Sequence, residues 1–133
     1  MKTLDKDSLV GVSALLVHAA KIDEIYSDKE KLLIKEFIKS YSSDAEKDNV
    51  LKKAEEVEKN SNQLLSYTNI IKENSLEIKK DIIEHLWKVI ISDNTVDQYE
   101  SNLMRRVCGL IYFPDKECAE IKLKLINNKC PIL

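Results

Sequence analysis

Two short acidic stretches carry the residues best suited to chemistry. KIDEIYSDKE, residues 21–30, sets Asp23 and Glu30 at the two sides of a tight turn, and ISDNTVDQYE, residues 91–100, repeats the arrangement with Asp93 and Glu100. An aspartate at the carboxyl end of a helix opposes the helix dipole and lies beside unsatisfied carbonyl oxygens. Carboxylates next to free carbonyls are the oxygen-rich surroundings that calcium or magnesium prefers, more than zinc does. Asp23, Glu30, Asp93 and Glu100 are therefore candidate metal ligands if the two turns meet, with Asp28 and Asp97 as further oxygen donors. The competing reading is architectural. Glu30 with Ser27, and Glu100 with Asp97, match capping boxes, and Lys21, Lys29, Arg105 and Arg106 are at hand to neutralise the acids. Both readings stand on sequence alone.

Other chemistries find less support. The acidic stretches lack the glycine and the twelve-residue ligand spacing of an EF-hand. A di-iron bundle needs Glu-x-x-His, yet Leu15 and Ile82 stand three residues before His18 and His85. No serine or cysteine lies in a nucleophile motif and there is no glycine-rich phosphate loop, so the chain is not expected to be an enzyme and no catalytic residue is assigned. His18 reads as a satisfied core or helix-end histidine, His85 as the same or partly exposed, and Trp87 as a core anchor. Cys108 and Cys118 read as small core residues and Cys130 as a free thiol in a loose tail, with no pair at the spacing of a zinc knuckle or redox motif.

The elements that must position these residues are helices. The 133 residues include only two glycines and two prolines, against 44% hydrophobic and 33% charged residues, a composition dominated by helix formers. Apolar residues run almost all the way round residues 8–22 and again from Leu76 to Ile91, which marks two buried central helices. Capping boxes at Ser27/Glu30, Ser43/Glu46, Asn74/Glu77 and Asp97/Glu100 mark helix starts. Together these signals predict helices near 8–22, 28–42, 44–59, 62–72, 75–92, 98–112 and 115–127, the last following Pro114. The expectation is all-α: a single compact domain spanning 1–133, with a core of about 8–127, a short tail at 128–133 and about seven helices.

A shift of seventy positions lays Asp23 on Asp93, Glu30 on Glu100 and Leu33 on Leu103, with Leu16, Ala19, Ala20, Ile34 and Phe37 over Leu86, Val89, Ile90, Met104 and Val107. The chain thus reads as two pseudo-repeated helical hairpins around the two buried helices. ALLVHAAKIDEIYSDKEKLLIKEF followed by HLWKVIISDNTVDQYESNLMRRVCGLI resembles the tellurite-resistance protein B (TerB) family, specifically its TerB-like members of unassigned role, over roughly residues 8–127. The resemblance implies an all-helical fold of about seven helices, a cytoplasmic bacterial protein and an acidic patch suited to a divalent cation; it does not imply an enzyme. The family commonly has glycine after the aspartate of each turn, where this chain has Glu24 and Asn94.

The net charge of -2 comes from 21 basic and 23 acidic residues closely mixed, which provides no basic stripe for nucleic acid. KEKLLIKEFIK and AEKDNVLKKAEEVEK alternate lysine with glutamate at helical spacing, as solvated faces with intrahelical pairs do. The opening MKTLDKDSLVG is too polar for a signal peptide, and no apolar run reaches the ~20 residues of a membrane span. The resulting expectation is a cytoplasmic, non-enzymatic TerB-like protein that binds a divalent cation or a basic partner through its acidic patch. A stress or tellurite-resistance role follows from the resemblance, with a protein partner, membrane-associated or not, and no membrane insertion. The alternative is a helical protein–protein interaction module with no metal site. Oligomeric state is not legible.

Overall fold

The computed structural model describes residues 5–21, 28–43, 45–60, 64–91 and 98–129. Seven helices follow in order: α1 Lys6–Ala20, α2 Asp28–Tyr41, α3 Lys47–Asn60, α4 Leu64–Lys72, α5 Leu76–Ile91, α6 Gln98–Leu110 and α7 Asp115–Lys129. No strand occurs among the described residues. The all-α expectation and the two central helices are both observed.

α1 begins where Asp5 accepts the Ser8 amide at 2.7 Å. That backbone hydrogen bond also holds the Asp5 carboxyl below its ordinary range. Ten of its 15 residues are buried, and it packs on α2, α3, α4 and α5. α5 packs on α1, α2, α6 and α7 and buries the face that includes Ile82, Ile83, Leu86 and Ile90. Between them these helices organise one continuous apolar core, into which α2 sends Ile34, Phe37 and Ile38 and α6 sends Met104 and Val107.

α1 and α4 come unusually close at Gly11, where a Cβ would lie 2.5 Å from the Ile70 Cδ1. Glycine is what permits the approach. At the other end of the chain, α6 stops in a Schellman motif: the Phe113 amide donates to the Cys108 carbonyl at 2.9 Å and the Tyr112 amide to the Gly109 carbonyl at 3.4 Å. Tyr112 holds the left-handed position with φ 59°. Pro114 follows, and the chain turns back into α7.

Some helix starts differ from the sequence expectation. Ser43 and Glu46 do not open a helix at 44; the Glu46 amide donates to the Ser43 carbonyl at 3.1 Å in a turn, and α3 starts at Lys47. Asn74 does not cap α5 either. Its Nδ2 donates back to the Ile70 carbonyl at 2.9 Å, closing α4, while Ser75 Oγ accepts the Ile78 amide at 3.4 Å and caps α5. At Asn74 the physical origin is plain, since a cap residue serves whichever orphan backbone group lies nearer.

Candidate functional site

Of the four sequence-predicted ligands, Glu30 is the one whose side chain falls among the described residues. Asp23 and Asp93 lie outside them, as do Ser27 and Asp97; Glu100 belongs to the first turn of α6, with its side chain outside the described set. Glu30 sits in the first turn of α2 and is only 5% exposed. A carboxylate so deeply placed needs compensation, because burying an unpaired charge is costly. The helix N-terminus supplies part of it, and Glu30 is not without partners. Asp28, two residues earlier, is exposed.

The packing of α2 on α5 fixes where Glu30 stands. Tyr41 Oη donates to Asp81 Oδ2 at 2.7 Å, and the Phe37 ring meets the His85 ring edge-on with centroids 5.0 Å apart. Position 41 pairs with 81 and 37 with 85, so the two helices run antiparallel. At about 1.5 Å per residue, Glu30 lies about 16 Å up α2 from Tyr41, and Ile91 about 15 Å along α5 from Asp81. The chain therefore enters α2 and leaves α5 at one end of the bundle. Segments 22–27 and 92–97 both attach to that end, with the buried Glu30 beside it.

The Tyr41, Asp81 and His85 cluster escaped sequence reading. His85 Nδ1 lies 3.0 Å from the Asp81 carbonyl oxygen and 3.5 Å from its Oδ1; since a carbonyl only accepts, the proton sits on Nδ1. Burial, and then the hydrogen bond to Asp81, push the Tyr41 phenol above its ordinary range. The spacing of Asp81 and His85, one helical turn apart, was the available signal. Tyr41, forty residues away, gave none.

A second polar cluster ties the end of α1 to α3. Glu58 takes Lys21 Nζ on Oε1 at 2.8 Å and has Oε2 3.3 Å from His18 Nδ1, with the His18 side chain 36% exposed. His18 is a satisfied helix-end histidine, and Lys21 gives its ammonium to Glu58. Lys35 likewise reaches across to Asp48 on α3 at 3.1 Å, so the lysine-rich face of α2 makes a pair between helices as well as being solvated. Trp87 and both described cysteines are buried, as expected of core residues. Among the described residues no group of three or more His, Cys, Asp or Glu side chains is arranged to hold a metal. Nor does any helix among them have the length and apolarity to cross a membrane.

Among the described residues, cavities border the core at two places. One, of about 410 Å³, runs past Val10, Gly11, Val57, Tyr67 and Ile70 with Lys6 and Lys53 at its edge. The other, of about 480 Å³, is lined by Trp87, Met104, Arg105, Asp115, Cys118 and Lys122.

An all-α domain built on two buried helices, with acidic stretches of sequence between α1 and α2 and between α5 and α6, belongs to the class of small all-helical domains. The family model of tellurite resistance protein TerB matches residues 9–123, and the chain belongs to that family. Searches of curated proteins and of solved structures each found no significant match.

Proposed function

We propose that this TerB-family chain is a non-enzymatic protein that binds a divalent cation, calcium or magnesium in preference to zinc, at its acidic end. Asp23 and Asp93 serve as principal ligands and Glu30 and Glu100 in support. The observation that favours this reading is the buried Glu30 at the end of the bundle where the chain also leaves α5 toward Asp93. A carboxylate already desolvated beside further acids suits a hard cation with oxygen ligands, and the same acidic end suits a basic surface on a protein partner. In this reading the chain acts in a bacterial stress or tellurite-resistance response.

A thermal melt of the chelated protein, titrated with calcium, magnesium, manganese and zinc, tests the proposal. Free ion at a hundred times its dissociation constant adds about 2.7 kcal/mol of stability, which raises the melting temperature by several degrees. The rise should vanish in the Asp23→Asn, Asp93→Asn double variant. If no ion moves the wild-type melt, the metal assignment fails and the interaction-module reading takes its place. The groove between α1, α3 and α4, where Val10, Val57, Tyr67 and Ile70 are flanked by Lys6, Asp7, Lys53 and Glu56, is the surface that favours that second reading.

A further inference from the structure

Where α5, α6 and α7 meet, the cavity of about 480 Å³ joins an apolar wall to unpaired positive charge. Trp87 on α5, Met104 on α6 and Cys118 on α7 belong to that wall, and all three are buried. One hydrogen bond fixes part of it. The Trp87 indole N–H donates to Cys118 Sγ at 3.3 Å, which holds the ring in place and occupies the only donor of the indole. The wall is thus aromatic ring and polarisable sulfur, and sulfur makes favourable contacts with aromatic neighbours. A cavity of this size falls in the range of sites for small organic ligands, which often lie between the helices of a bundle.

The charge sits at the solvent side of the lining. Arg105 on α6 is exposed, and Lys122 on α7 is half-buried with its ammonium 5.2 Å from the Trp87 ring centroid. Neither cation is in an ion pair among the described residues. Asp115 is the acid among the described lining residues, and it stands in the first turn of α7, where the helix dipole already compensates a carboxylate. Two cations against one such acid leave this place positive in a chain whose net charge is -2. Lysines on other helices are neutralised within the fold, Lys21 by Glu58 and Lys35 by Asp48. An arginine beside an apolar wall suits a carboxylate, because its planar fork takes both oxygens at once.

We propose that this cavity binds a small aromatic carboxylate, its ring against Trp87, Met104 and Cys118 and its carboxylate held by Arg105 and Lys122. Both halves of the ligand matter. A neutral molecule of the same shape leaves the two cations unpaired, and a carboxylate without a ring leaves the apolar wall uncovered. None of these residues belongs to the proposed cation site, and binding needs no divalent ion.

Trp87 is the single tryptophan of the chain, so its indole N–H gives one isolated cross-peak in a nitrogen–proton correlation spectrum of the full-length protein. In chelated buffer, 2-naphthoate should move that cross-peak saturably, with a dissociation constant below about 1 mM. The uncharged isostere 2-naphthamide, and acetate, which lacks the ring, should each bind at least about tenfold more weakly. Arg105→Gln combined with Lys122→Gln should weaken naphthoate by about tenfold or more. A cross-peak that stays in place, or drifts without saturating, up to about 10 mM naphthoate would overturn the proposal. So would naphthamide or acetate binding as tightly as naphthoate, or a double variant that binds naphthoate as the wild type does. The comparison of acid with amide on the unaltered chain decides the matter even if the double variant folds poorly.

Discussion

Tyr41 Oη lies 2.7 Å from Asp81 Oδ2, joining the last turn of α2 to the first half of α5 through a phenol that is part-buried and a carboxylate that also faces His85. This bond, with the Phe37 and His85 rings one turn away, sets the antiparallel register that carries Glu30 to the end of the bundle where the chain enters α2 and leaves α5. The link is thus both a stability element and the ruler for the candidate site.

Tyr41→Phe keeps the ring against Phe37 and removes only the donor. A hydrogen bond to a charged acceptor is worth about 1.5–3 kcal/mol, and the loss should appear in urea unfolding at neutral pH. The folded chain holds the phenolic proton more tightly than the unfolded chain does, because the phenol lies above its ordinary value of 10.0. The corresponding stability is therefore complete below pH 10 and drains away as pH rises beyond it. Between about pH 9 and about pH 11 the wild type should lose more stability than Tyr41→Phe. Parallel losses in the two proteins would show that another group governs the alkaline limb.

Gly11→Ala should reveal how tightly α1 and α4 are set. The added methyl meets Ile70 Cδ1 at 2.5 Å, so Ile70 must turn away. Against that stands the gain of about 0.8–1.0 kcal/mol for alanine over glycine inside a helix. In the wild type the two effects should nearly cancel. With Ile70→Val, which lacks the clashing carbon, Gly11→Ala should stabilise by about 1 kcal/mol, and the double-mutant cycle should show favourable coupling. Strict additivity would mean that the approach is limited by something other than this contact.

How far these relationships were legible depends on their range. The helix count follows from the capping signals and the two central helices from the dense apolar residues of α1 and of the buried face of α5, and Trp87, Cys108 and Cys118 fell into the core as their types suggest. Helix starts were less secure. Asn74 and Ser75 are both good caps, and only the orphan carbonyl of Ile70 decides that Asn74 turns back to α4. For Glu30 the place at a helix start was readable and its burial was not, because nothing local in the sequence separates a buried first-turn glutamate from an exposed one. The Schellman turn that ends α6 was hidden too, because its left-handed residue is Tyr112, where glycine would be the usual signal.

Tyr112 itself tests a balance of two effects. A non-glycine residue in the left-handed region costs about 1–2 kcal/mol, and Tyr112 is 69% exposed there. Its ring receives Lys72 Nζ at 5.3 Å from the centroid, a cation–π contact worth about 0.5–1 kcal/mol at an exposed site. Tyr112→Gly relieves the backbone, forfeits that contact and adds freedom to the unfolded chain. It should be nearly neutral alone and stabilising by roughly 0.5–1 kcal/mol when Lys72 is already alanine. Destabilisation in both backgrounds would show that the ring makes further contributions at the α6–α7 corner.

Ser13 offers the cleanest gain. It sits at 0% exposure in the middle of α1, and its Oγ has no hydrogen-bond partner. A buried hydroxyl left unpaired costs about 1–3 kcal/mol relative to its hydrated state. Ser13→Ala removes the orphan oxygen, keeps a side chain small enough for the crowded centre of the bundle and improves helix propensity by a few tenths of a kcal/mol. The variant should be more stable by about 1 kcal/mol in urea unfolding, with an unchanged denaturant slope. A loss of stability would show that the Ser13 hydroxyl fills a space that a methyl group leaves empty, and would make packing rather than polarity the constraint at the centre of α1.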